Sequence, residues 1–192
     1  MVTINTIKTK TNMRYIQRYF SAILLMLLSV NVCAEDLVNR DIIEISAGIG
    51  YYDFDDKRNL DDSGMAAVGL GMHFSRRWAF SLNYSALQST TNVSGTTPTV
   101  DMQKYHVDVY RYFNTENRLR PYLVAGYGQM DIVYTGVDSN ETLFNGGIGL
   151  SYQLTPSWSV RSDVRVFSHY DSDYTDNALT LVLVYRLNGG EK

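Results

Sequence analysis

The stretch Ala66-Ala67-Val68-Gly69-Leu70-Gly71-Met72-His73-Phe74 alternates with a period of two. Ala66, Val68, Leu70, Met72 and Phe74 fall on one face, and Ala67, Gly69, Gly71 and His73 fall on the other. That spacing belongs to a β-strand, in which successive Cβ atoms point to opposite faces. The second face decides the fold. A strand with one side in water would carry Lys, Thr, Glu or Gln there. Glycine and alanine instead suit the crowded inside of a narrow closed sheet whose apolar face is turned outward to lipid.

Seven further segments repeat the pattern, at 43–52, 78–85, 104–110, 121–128, 144–152, 158–166 and 179–187. In the last, Leu179, Leu181, Leu183, Tyr185 and Leu187 alternate with Thr180, Val182, Val184 and Arg186. A soluble sandwich or lipocalin-like barrel also alternates, but its apolar face is the core and its polar face meets water, which the Gly-, Ser- and Ala-rich faces here do not match. No run of 18 apolar residues follows residue 35, so no spanning helix is expected. The predicted fold is all-β: an eight-stranded antiparallel up-and-down transmembrane β-barrel. Its weak points are Arg111, which would face lipid, and Gly146, which interrupts an apolar face; a bulge at either would change which charges meet inside.

The connections and aromatics fit this frame. Residues 75–77, 114–118 and 155–157 form short turns, whereas 53–63, 88–100, 135–141 and 170–177 form longer polar loops. In transmembrane barrels short turns are periplasmic and long loops external, which puts both termini in the periplasm. Phe74, Trp78, Phe113, Tyr122, Tyr152, Trp158 and Tyr185 fall beside the short turns, and Tyr51, Tyr84, Tyr105, Tyr127 and Tyr134 toward the opposite ends. Two such girdles place amphipathic rings at the two lipid–water boundaries.

Residues 1–34 read as a signal peptide: Lys8, Lys10, Arg14 and Arg18 precede an apolar run at 20–30, and Val32-Cys33-Ala34 suits cleavage before Glu35. Translation could equally start at Met13. The apolar run is too short to span a bilayer as a helix, and Val32 is too large for lipid attachment at Cys33. The barrel domain, 35–192, then lacks cysteine and thiol chemistry. The chain has 17 Lys+Arg and 20 Asp+Glu, and the leader holds four of the bases and none of the acids, so the barrel carries a net charge near −7. That charge argues against nucleic-acid partners. The acids concentrate in outer loops: Asp53, Asp55, Asp56, Asp61 and Asp62 in the first, Asp171, Asp173 and Asp176 in the fourth.

With the strands placed, four stretches resemble the OmpA-like and OmpX-like eight-stranded outer-membrane barrels: Gly64 to Phe74 with Trp78-Ala79-Phe80, Arg120 to Gly126, Leu154-Thr155-Pro156 with Arg161-Ser162-Asp163, and Leu179 to Leu187. The resemblance implies recognition by the barrel-assembly machinery and periplasmic chaperones through a C-terminal signal; here that signal ends Tyr185-Arg186-Leu187, with leucine replacing the family's last aromatic. It also implies a barrel without the peptidoglycan-binding domain of full-length OmpA proteins, a monomer in contact with outer-membrane lipid and lipopolysaccharide. The family's lumenal Glu–Arg network is matched at Arg161.

The predicted lumen face holds Glu44, His73, Lys104, His106, Asp108, Arg161, Asp163, Arg165 and Arg186. Buried charges must be paired and hydrogen-bonded, and Glu44 and Asp163 are expected to pair with Arg161 and Arg186. The resulting expectation is a plugged, non-enzymatic barrel contributing to envelope integrity or surface interaction. A narrow porin-like channel is the alternative. A third class is suggested by similar barrels that remove acyl chains from lipid A with a His-x-Ser pattern. Here Ser168-His169-Tyr170-Asp171-Ser172 gives His-x-x-Ser, and the strand phase turns His169 inward, away from a lipid substrate. The acidic loops could meet divalent cations, yet lack the glycine and terminal Glu of an EF-hand. No metal-ligand spacing, phosphate loop or nucleophile elbow appears, so neither metal nor cofactor is expected.

Overall fold

The computed structural model describes residues 42–91, 99–134, 137–170 and 172–187. The expected signal peptide with Cys33, the side chain of Tyr134, and Asp171 lie outside the described residues. Eight strands follow one another: β1 Ile42–Asp53, β2 Ser63–His73, β3 Trp78–Thr90, β4 Thr99–Tyr112, β5 Leu119–Tyr134, β6 Val137–Gln153, β7 Trp158–His169 and β8 Thr175–Leu187. They close into a barrel in chain order, with β8 hydrogen-bonded to β1. Each neighbouring pair is antiparallel, and closure leaves no edge strand among the described residues.

The register is unbroken where bulges were conceivable. Arg111 stands opposite Trp78 and Leu123, and Gly146 opposite Ala125 and Val166. Arg111 does reach the outer face, where its guanidinium lies 5.4 Å from the Trp78 ring and 5.2 Å from the Phe113 ring. Cation–π contact lets the long stem lie on apolar rings near the membrane boundary. The middle of the outer face is largely apolar, and Ile49 and Ile148 are among its most exposed large hydrophobic side chains, at 67% and 66%.

One loop expectation is corrected. The third long loop, at 135–141, is mostly strand, because β5 and β6 stay paired up to Tyr134 and Val137. Backbone pairing needs no apolar side chain where a hairpin stands in water, so polar residues there hid the strand from a pattern built on alternation.

The girdles mostly sit as expected. Phe74, Phe113, Tyr152 and Trp158 are exposed on the outer face, Trp78 and Tyr185 are half-buried, and the Trp158 and Tyr185 ring centroids are 4.7 Å apart. Toward the other end Tyr51, Tyr105 and Tyr127 are exposed, with Tyr84 against Tyr105 at 5.1 Å. Tyr122 is a correction: it is buried at 1% exposure inside the barrel. Its neighbours Pro121 and Leu123 take the outer face, and a strand cannot turn adjacent residues the same way.

The inside is tightly filled. A Cβ added at Gly128 would lie 2.0 Å from the Tyr105 carbonyl oxygen and 2.6 Å from the His106 Cα, both backbone atoms of the adjoining strand. Gly146, one strand further on but facing out, has only the Val124 carbonyl oxygen at 4.0 Å. Gly128→Ala is therefore expected to cost about 1–3 kcal/mol by overpacking, and Gly146→Ala little or nothing. Urea unfolding of the two variants in detergent checks the contrast.

Candidate functional site

The lumen is where the chain's unusual chemistry converges. Strand alternation sends Glu44, His73, Lys104, His106, Asp108, Arg161, Asp163 and Arg165 inward to full burial, with Arg186 half-buried beside them. They do not form one continuous cluster. They stack in tiers along the barrel axis.

The tier nearest the termini centres on Glu44. Arg186 stands opposite it in the β1–β8 register and donates from Nε to Oε1 at 2.8 Å. His73 Nε2 lies 2.9 Å from the same oxygen, and Arg161 Nη1 lies 3.6 Å from Oε2. Arg161 also donates to the Tyr112 hydroxyl at 3.1 Å, and the His73 ring stacks on Tyr112 at 5.4 Å. Glu44 thus meets both arginines expected for it.

Asp163 does not, and that expectation is corrected. It belongs to the middle tier, where Arg165 Nε donates to its Oδ1 at 2.8 Å and Nη2 to its Oδ2 at 3.1 Å. Arg161 and Arg165 both stand two residues from Asp163 on the same strand and face, but Arg161 is drawn to Glu44 and the Tyr112 hydroxyl, which leaves Asp163 to Arg165. The Tyr122 and Thr180 hydroxyls also donate to Asp163, each at 2.7 Å. The other arm of Arg165 binds Asp108 through Nη1, and Nη2 reaches the Tyr110 hydroxyl at 3.0 Å. Asp108 further accepts from Asn83 and Asn145 at 3.0 Å each and from Tyr110 at 3.3 Å, and lies 2.9 Å from His106 Nδ1. A buried carboxylate with this many donors is well compensated for its lost hydration.

Above lies a band of large apolar groups, including Met65, Met102, Met130, Leu143 and Phe167. Lys104 is embedded in it, its Nζ 4.0 Å from the Tyr52 ring centroid and 3.8 Å from that of Phe167. The sequence reading expected small and polar residues throughout the lumen and missed this band.

The outermost tier was also missed. The first loop folds in, so that Phe54 joins the apolar band and Arg58, on the 3-10 turn Asp56–Arg58, buries its side chain among Glu141, His169 and Asp176. Arg58 pairs with Glu141, lies 3.5 Å from Asp176 and packs over the Tyr174 ring at 4.7 Å. His169 points inward, as its phase implied, with Nδ1 2.8 Å from Glu141 and Nε2 2.9 Å from Asp176. Each ring nitrogen faces a carboxylate, an arrangement that favours the imidazolium, with Arg58 Nη2 3.2 Å from Nδ1. The Ser172 hydroxyl has no hydrogen-bond partner among the described residues, and His169 is held by carboxylates rather than by a serine. Backbone contacts fasten the loop further: the Asp55 amide donates to Asp176 at 2.9 Å, and Asp55 accepts from the Thr175 amide at 3.0 Å. The amide hydrogens of Lys57 and Thr175 hold the Asp55 carboxyl below its ordinary range, so this contribution is present above that range and is lost on acidification. Among the described residues no three ligating side chains converge as a metal site.

Glu141 and Asp176 could have been found by carrying the inward phase of β6 and β8 two inward positions, four residues, back from Asn145 and Thr180. Nothing in the sequence marks Arg58. Arg58→Ala should release the first loop: hydrogen bonds to charged groups contribute about 1.5–3 kcal/mol. Amide exchange over residues 54–62 is then expected to quicken by about ten- to a hundredfold, measured by mass spectrometry on the protein in micelles.

Comparison with known proteins agrees with this architecture. Residues 20–186 match the family model described as the outer membrane protein beta-barrel domain. No curated protein sequence matches the chain significantly. Among solved structures, the chain is similar to Neisserial surface protein A, with 13% identity and a TM-score of 0.59 over 77% of this chain and 97% of that one. It is similar to the N-terminal β-barrel domain of Pseudomonas aeruginosa OprF, with 17% identity and a TM-score of 0.53 over 75% and 97%. A third is Ail, the attachment invasion locus protein of Yersinia pestis, in complex with the heparin analogue sucrose octasulfate: 18% identity, TM-score 0.54, over 77% and 99%.

Proposed function

This chain belongs to the outer membrane protein β-barrel family, and from that premise we propose that it is a non-enzymatic barrel whose lumen is sealed and whose work lies in envelope integrity and surface contact. The observation that carries the reading is the filling of the lumen. Guanidinium–carboxylate tiers, an aromatic and methionine band and the tucked first loop succeed one another along the axis, and among the described residues the cavity beside Lys104 and Arg165 is only ≈ 40 Å³. A space of that size takes a few waters or a single small ion and no larger solute. The test is planar-bilayer recording of the purified chain. No steady conductance is expected, and sustained openings would overturn the seal in favour of a narrow channel.

The outer surface sets what it contacts. Asp53, Asp56, Asp61, Asp62, Asp101, Asp138 and Asp173 are exposed at the loop end, with Lys57 the exposed lysine among them. Ail is seen with a polyanion; an acidic mouth repels one, so the contact partner here is basic or is lipopolysaccharide phosphate bridged by divalent cations. Export by the N-terminal signal and insertion by the assembly machinery complete the proposal. Its non-enzymatic part is tested by mass spectrometry of lipid A. Identical acyl content with and without the gene is expected, and a lost chain that depends on His169 would reject it.

A further inference from the structure

We propose that the lumen holds a binding site for one small monovalent anion of halide size, seated against Lys104. The cavity of ≈ 40 Å³ is lined by Lys104, Ser85, Arg161, Arg165 and, as its one carboxylate, Asp163. Lys104 is fully buried, and its Nζ has no hydrogen-bond acceptor among the described residues; the Ser85 hydroxyl, opposite it in the β3–β4 register, is in the same position. Two residues with unpartnered buried donors therefore line one small cavity. Unpartnered buried donors, a charged one above all, are costly.

Charge balance says what the occupant is. Among the described groups, Arg161 and Arg186 against Glu44, and Arg165 against Asp108 and Asp163, sum to zero over the two inner tiers. In the outer tier Arg58 and the imidazolium of His169 cancel Glu141 and Asp176. His73 and His106 each face a carboxylate through one nitrogen. With those two histidines counted as neutral, Lys104 is the surplus cation among the described lumen groups. The faces of Tyr52 and Phe167 on its ammonium offset part of the cost of burying that charge, and an anion beside it would complete the balance. About 10–15 Å³ of such space holds a water, which admits a halide with a water beside it and leaves out sulfate or phosphate.

The inference rests on the lumen geometry alone and stands whether or not the barrel conducts. Its test uses the full chain extracted from membranes in detergent, unfolded in chloride and in gluconate at equal ionic strength, with crystals grown in bromide. With chloride at ten times its dissociation constant, unfolding is expected to be about tenfold slower than in gluconate. Lys104→Met is expected to abolish that difference, and Ser85→Ala to reduce it. Anomalous density within hydrogen-bond reach of Lys104 Nζ is expected in bromide, a readout that needs no variant to fold. Equal rates in the two salts, a chloride effect that survives Lys104→Met, or no bromide at Lys104 would each overturn the site.

Discussion

Arg165→Met is expected to lower the unfolding free energy of the barrel by about 3–5 kcal/mol, the range seen when one partner of a buried ion pair is removed. Among the described residues Arg165 is the one cation that touches both Asp108 and Asp163. Its loss leaves two carboxylates in the middle of the lumen, with only hydroxyls, amides and His106 to offset them. Methionine keeps most of the side-chain volume, so the loss reads charge rather than a cavity. Asp108→Asn is the milder change, because Arg165 keeps Asp163; about 1–3 kcal/mol is expected for the disturbed hydrogen bonds. Replacing Arg165, Asp108 and Asp163 together with apolar residues should recover much of the loss, since a buried ionic group exchanged for well-packed hydrophobes is often neutral or better. Urea unfolding in lipid vesicles measures all three. A single variant within 1 kcal/mol of the parent would mean that the guanidinium is not joined to both carboxylates in the membrane.

That network shows how far sequence reading reaches. The facing of Asp108, Asp163 and Arg165 follows from period-two alternation alone, since a one-residue slip would turn all of them to lipid. Their partners do not follow from it. Asp163 was expected to meet Arg161 or Arg186, and which arginine lies nearest depends on how strands are staggered around the closed sheet, which alternation does not encode. Tyr110, Tyr112 and Tyr122 share the inward phase of their strands, but an amphipathic ring near a strand end also fits the girdle, and only burial separates the two. Arg58 is the extreme case. It lies on a polar loop, and its contacts with Glu141, His169 and Asp176 join elements more than 80 residues apart.

Ile148→Arg is the second large effect, about 2–4 kcal/mol at the bilayer midplane, and it tests whether the exposed apolar face meets lipid at all. Ile148 lies mid-strand in β6, opposite Leu123 and Val164, and is among the most exposed hydrophobic side chains of the barrel. In water an arginine at such a position would be near neutral, because it would replace an exposed apolar group with a hydrated one. In hydrocarbon the guanidinium must snorkel or draw water in, and the cost depends on depth. Leu119→Arg, at the turn end of β5 opposite Tyr152, should therefore cost only about 0–1 kcal/mol. The comparison is made by unfolding both variants from lipid vesicles and again from detergent micelles. A steep fall from Ile148 to Leu119 in vesicles places the belt; equal, small costs at both sites would mean that this face is not buried in a bilayer. Gly147 sharpens the reading, because it is adjacent to Ile148 but faces in, where an added Cβ would lie 2.4 Å from the Val164 carbonyl oxygen. Gly147→Ala should then destabilise alike in vesicles and micelles, since packing inside the lumen does not depend on what surrounds the barrel, whereas the arginine penalty does.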